Sequence, residues 1–134
     1  MIIRELVFGF LAPVLPLLLP APKLKPEQEL LLKAADIIDR QGLTKGTYGG
    51  RNGSPVCLVG SLVVARYGRC SLEMPANYCV DDDLDPIFVA AVHRAIGALM
   101  GRSSLYSIVL CFHWNDAGIR TKDEVVGLLR KAAE

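Results

Sequence analysis

The sequence predicts an all-α fold: a compact bundle of about five helices over residues 26–134, behind an apolar, proline-punctuated segment over residues 1–25. Three observations carry that expectation. Apolar residues recur at three- and four-residue intervals through most of the body, the period of a helix with one buried face. Helix-start signatures stand at Pro26, Ser54-Pro55, Asp85-Pro86 and Thr121, and glycines stand where periodic runs stop, at Gly42, Gly68 and Gly101. At 134 residues the chain is long enough to bury a single core without staples.

The first helix opens on Pro26 with Glu27 and Glu29 in its first turn, where carboxylates complement the helix dipole. Its buried stripe is Leu30, Leu31, Ala34, Ala35, Ile37 and Ile38, with Lys33, Asp36 and Asp39 opposite. Gly42 stops it, and Leu43 is placed for the apolar contact that follows a glycine cap. Residues 46–54 form a glycine-rich turn or short hairpin, with Asn52-Gly53 at its tip. Ser54-Pro55 reads as cap and first position of a second helix through Val56 to Arg66. Four valines make a strand the alternative there. Residues 69–84 read as an irregular connection. Asp85-Pro86 then starts a third helix ending at Gly101. Ser103 or Ser104 caps a fourth, Leu105 to Trp114, so apolar that it is expected at the centre of the bundle. The last helix opens on a capping box, Thr121-Lys122-Asp123-Glu124, and closes near Arg130 and Lys131.

Composition excludes several functions. Fifteen Lys plus Arg stand against fourteen Asp plus Glu, so the chain lacks the surplus basic charge of a nucleic-acid binder. The four cysteines, Cys57, Cys70, Cys79 and Cys111, contain no Cys-x-x-Cys pair and read as structural thiols. Cys70 and Cys79 are the pair to bridge in an oxidising compartment. No metal site is expected: Cys111-x-His113 is too tight for a zinc pair, and His93 reads as a boundary residue. Asp81, Asp82, Asp83 and Asp85 fail the calcium-loop pattern, with Pro86 and Val92 where Gly and Glu belong. The glycine-rich stretch lacks the Gly-Lys-Ser/Thr of a phosphate loop, so no cofactor is expected.

The front of the chain is its most unusual feature. Leu6 to Pro22 is a run of seventeen uncharged residues, broken by Pro13, Pro16, Pro20 and Pro22. A spanning helix needs about twenty apolar residues with intact backbone bonding, which these prolines interrupt. A secretory signal needs a basic start and small residues at its cleavage site. Here Glu5 cancels Arg4, and Leu19 occupies a small-residue position. The segment therefore reads as one that is shielded by a partner, by a membrane interface or by its own domain.

Several stretches of the body resemble a known family of small actinobacterial and actinophage proteins, classed as a domain of unknown function. They are Leu32-Lys33-Ala34-Ala35-Asp36-Ile37-Ile38, Pro55-Val56-Cys57-Leu58-Val59-Gly60-Ser61-Leu62, Trp114-Asn115-Asp116 and Thr121-Lys122-Asp123-Glu124-Val125-Val126-Gly127-Leu128-Leu129. The resemblance covers about residues 28–133 and implies a small helical fold and a phage or prophage origin. It implies no reaction.

On their own chemistry, the residues offer one catalytic constellation. Cys57, at about the third helical position, gains thiolate stability from the helix field, with His113 as base and Asp116 as orienting group. This thiol-dependent hydrolase or transferase is the alternative reading, and a buried packing thiol is the simpler one. Trp114-Asn115-Asp116 reads as a core anchor followed by two side chains bonded to backbone at a helix end. The function expected first is a non-catalytic interaction protein, cytoplasmic and able to associate with the membrane. It binds a protein partner or membrane surface through residues 1–24, and homo-oligomerisation is compatible with it. The expected contact residues are Leu6, Phe8, Phe10, Val14 and Leu17 on the leader, and Tyr48 and Arg51 as an exposed pair on the glycine-rich loop.

Overall fold

The computed structural model describes residues 23–68, 85–101 and 108–134. They form five α-helices, α1 (Pro26–Gln41), α2 (Leu58–Tyr67), α3 (Pro86–Met100), α4 (Ile108–Asp116) and α5 (Lys122–Ala132), with a 3-10 turn over Arg51–Gly53. The fold is all-α, as the periodicity predicts. The apolar segment over 1–22, the connection over 69–84 and the serines at 103 and 104 lie outside the described residues.

Helix α1 is the hub, packed against α2, α3 and α5. Its buried face is the six-residue stripe read from the sequence, with Leu31, Ala34, Ala35 and Ile38 fully buried. Burying an aliphatic side chain of this size stabilises by about 1.5–3 kcal/mol, so this face supplies much of the cohesion. Phe88, Val92 and Ile96 of α3 and Val125 and Leu129 of α5 complete the core around it. The fourth helix is not central, contrary to expectation. It packs chiefly against α2 and α3, with Cys111 and Asn115 buried and His113 and Asp116 exposed. Within its described side chains, Phe112 and Trp114 are half-buried, covered by loop contacts.

The helix ends follow the local signals. Pro26 and Pro86 occupy first-turn positions, and the Asp85 carboxylate accepts from the Ile87 N–H at 3.0 Å. Asp85 also pairs with Arg66 of α2, and that guanidinium holds its carboxyl below the usual carboxylate range. Gly68 and Gly101 close α2 and α3 in the left-handed conformation that glycine adopts without strain. At α5, the Glu124 N–H donates to the Thr121 hydroxyl at 3.2 Å, while the Glu124 carboxylate accepts from the Thr121 N–H at 3.1 Å. Thr121→Ala is expected to cost about 1 kcal/mol, read as a shift in urea midpoint.

The same box has a pH signature. The Thr121 N–H, aided by the Arg120 guanidinium, depresses the Glu124 carboxyl below its ordinary value. A depressed carboxyl contributes stability above its unfolded-state pKa and loses it as pH falls through the folded value. Acid titration of wild type is therefore expected to show an α5-linked loss below the ordinary glutamate range. Glu124→Gln removes that component.

One start signal misleads. Ser54-Pro55 does not open α2, which begins three residues later with Cys57 as its cap. Val56 is held extended between two neighbours, in a parallel bridge to Leu43 and an antiparallel bridge to Gly49. Its N–H donates to the Gly42 carbonyl at 3.0 Å and its carbonyl accepts from the Thr44 N–H at 2.9 Å. A residue committed to bridges on both sides cannot enter a helix. The Asn52-Gly53 tip is a 3-10 turn with Asn52 at φ 54°, ψ 39°, and the Gly50 N–H donates to the Pro55 carbonyl at 2.9 Å across its base.

Candidate functional site

The chemistry-bearing residues converge where the N-terminus of α2, the loop over 43–50 and the end of α4 meet. Cys57 precedes the helix instead of sitting at its third position, and its sulfur accepts from the Gly60 N–H at 3.2 Å. Its own N–H donates to the Tyr48 carbonyl at 3.0 Å. The thiol is 1 % exposed, so a substrate has no path to it in this conformation.

Asn115 fills the position beside it. Its Oδ1 accepts from the Leu58 N–H at 3.0 Å, one of the donors a helix start leaves without an internal partner. Its Nδ2 donates to the Thr44 carbonyl and to Asp116 Oδ1, each at 3.0 Å. Asp116 Oδ1 also accepts from the Gly46 N–H at 2.9 Å. One amide, 1 % exposed, thus ties three chain segments together. Lys45 adds a bond from its ammonium to the Ala117 carbonyl.

This geometry separates the residues of the catalytic constellation. His113 is exposed on α4 while Cys57 is buried, and Asp116 Oδ1 accepts from the Gly46 N–H and the Asn115 amide. Residues two apart on a helix face different ways, and it is Asn115 that turns toward the Cys57 end. Asp116 orients the loop at Gly46 and the Asn115 amide. Cys111, the other described thiol, is buried, and that burial pushes it up to about 11. Cys70, Cys79 and Asp81 to Asp83 lie outside the described residues. Among the described residues, no three His, Cys, Asp or Glu side chains are grouped to hold a metal ion.

The exposed pair on the glycine-rich loop is corrected in one member. Arg51 is exposed, but Tyr48 is half-buried, its ring edge-on to Phe112 with centroids 5.5 Å apart and an interplanar angle of 80°. The ring anchors the loop instead of reaching outward. The leader residues Leu6, Phe8, Phe10, Val14 and Leu17 lie outside the described residues. Trp114 is half-buried, and Arg120 covers it with its guanidinium carbon 4.1 Å from the ring centroid. That guanidinium also donates to the Trp114 carbonyl at 2.9 Å and to Glu124 at 2.9 Å, fastening α4 to α5. Sequence reasoning missed Arg120 and Thr44, because no local pattern announces a contact made only by tertiary folding.

An open groove of about 210 Å³ lies between Leu30, Ala65 and Ile87, rimmed by Glu29, Lys33 and Arg66. It is too shallow and polar to resemble a ligand pocket of the usual apolar kind. Among the described residues, no helix is long and apolar enough to cross a membrane.

A family model described as a family of unknown function, DUF6197, matches residues 22–134. The chain belongs to this family. The match begins where the apolar leader ends, so the DUF6197 region coincides with the helical body. No curated protein and no solved structure matches the chain.

The burial of the two described thiols in this DUF6197 body gives an expected result. In a Cys70→Ser, Cys79→Ser background at neutral pH, Cys57 and Cys111 are expected to resist a thiol reagent until denaturant is added. A fast-reacting Cys57 in the folded protein would revive the thiol-enzyme alternative.

Proposed function

We propose that this protein is a non-catalytic helical interaction module that docks its apolar leader on a protein partner or membrane surface. The observation that carries the reading is the seventeen-residue uncharged run ahead of α1, which a lone soluble body rarely leaves in water. The body supports it. The polar groups best suited to chemistry, Cys57, Asn115 and Asp116, are bonded to the molecule's own backbone. Arg51, exposed at a loop tip held by Tyr48 and Gly50, supplies an additional contact. Cytoplasmic residence with membrane association, and the phage or prophage origin implied by the resemblance, belong to the same reading.

Removing residues 1–22 and measuring both complex capture from native cells and co-sedimentation with membranes tests it. Loss of one or both is expected, with the helical circular dichroism retained. A truncated chain that binds as the full chain does would refute the docking role.

A further inference from the structure

We infer that the Asn52-Gly53 tip of the glycine-rich loop is a site of spontaneous modification, where the Asn52 carboxamide passes through a succinimide to an aspartyl or isoaspartyl residue. In this step the Gly53 backbone nitrogen attacks Asn52 Cγ. The new N–Cγ bond closes an imide ring and the Cγ–Nδ2 bond breaks. The side-chain nitrogen leaves as ammonia, carrying the proton that the Gly53 amide gives up. Water then opens the imide at either carbonyl. One opening leaves an aspartate in a normal chain, and the other routes the backbone through the side chain. The reaction consumes only water, so its rate depends on exposure and on how freely the peptide rotates.

The local structure favours this chemistry at Asn52. Both residues are exposed and lie in a short 3-10 turn outside the α-helices. Gly53 has no side chain to crowd the attacking nitrogen, and nothing lies within 4 Å of where its Cβ would stand. Asn52 itself is left-handed, at φ 54° and ψ 39°, a region that L-residues occupy at a cost. Rotating its peptide to bring the Gly53 nitrogen onto Cγ takes it out of that region. The bond spanning the tip is the Ser54 N–H on the Arg51 carbonyl at 3.0 Å, while the Gly50 N–H holds the Pro55 carbonyl at the base. Opening the tip therefore breaks one exposed backbone bond and leaves the core alone.

Asn115 supplies the contrast. It is 1 % exposed, and both ends of its amide are committed. Oδ1 accepts from the Leu58 N–H, and Nδ2 donates to the Thr44 carbonyl and Asp116. Turning its Cγ toward the Asp116 nitrogen would break these bonds inside the last turn of α4. Asn77 lies outside the described residues. At neutral pH the product at Asn52 is a carboxylate one residue from Arg51, the exposed cation of the loop. The isoaspartyl form also lengthens the backbone at the tip, so the contact surface changes in charge and shape while the core does not.

The test is incubation of the full chain, folded and in urea, at neutral and mildly alkaline pH. Peptide mass spectrometry follows loss of each asparagine amide, and an isoaspartyl methyltransferase labels the rearranged product. Asn52→Gln, whose longer side chain closes the imide slowly, is the control variant. In the folded chain Asn52 is expected to convert on the order of 100-fold faster than Asn115, because a loop tip opens locally and a buried helix-end amide does not. The rate should rise with pH, since losing the Gly53 amide proton creates the nucleophile. Methyl label in the peptide carrying residue 52 should be lost in Asn52→Gln. An Asn52 that persists in the folded chain while converting in urea would overturn the inference, because the native turn would then protect it. Conversion of Asn115 as fast as Asn52 in the folded chain would also overturn it.

Discussion

Gly60→Ala is expected to destabilise the fold by about 3 kcal/mol or more, at the upper end of what overpacking costs. A Cβ at Gly60 would stand 2.1 Å from the Tyr48 carbonyl oxygen and 2.9 Å from its carbon. The obstruction is backbone, which has no rotamer in which to retreat. The loop cannot swing away cheaply either, because the Cys57 N–H holds that oxygen at 3.0 Å and the Tyr48 ring lies against Phe112. The urea midpoint should fall sharply with little change in the denaturant slope. Gly127→Ala is the matched control: nothing lies within 4 Å of its Cβ position on α5, so the substitution should stabilise by about 0.5–1 kcal/mol. Similar effects at both sites would show that the loop does not clamp α2.

Asn115→Ala is expected to cost about 3 kcal/mol. It strands the Leu58 N–H and the Thr44 carbonyl and leaves a small void where the amide was. Asn115→Asp, nearly the same shape, should be no better at neutral pH. It keeps the acceptor for Leu58 but loses both donors and sets a buried carboxylate against Asp116. Pairing it with Asp116→Asn should recover part of the loss, with a coupling of about 0.5–3 kcal/mol in a double-mutant cycle. Strictly additive losses would mean that the two side chains do not share one network.

The contrast between these sites and the helix ends explains what was legible in the sequence. The starts at Pro26, Asp85 and Thr121 and the stops at Gly42, Gly68 and Gly101 are local chemistry, settled within a few residues, and they are found where the sequence puts them. Ser54-Pro55 carries an equally good start signal and fails, because Val56 is claimed by Leu43 and Gly49 from outside the local window. Trp114-Asn115-Asp116 was readable as a helix end that bonds backbone. Its partners, Leu58 and Gly46, lie 57 and 70 residues away, and no periodicity encodes them. The candidate site inherits the same asymmetry. Cys57 at a helix start was legible, but the burial that denies it a substrate, and the turning of His113 to solvent, are products of packing.

Amide hydrogen exchange across residues 6–22, on dilute full-length protein alone and then with anionic vesicles or native extract, bears most directly on how this chain works. Slow exchange that develops only once the binder is added is the predicted outcome. Protection already present in the isolated monomer would contradict it, since the leader would then be sheltered by its own helices and have no surface left to offer.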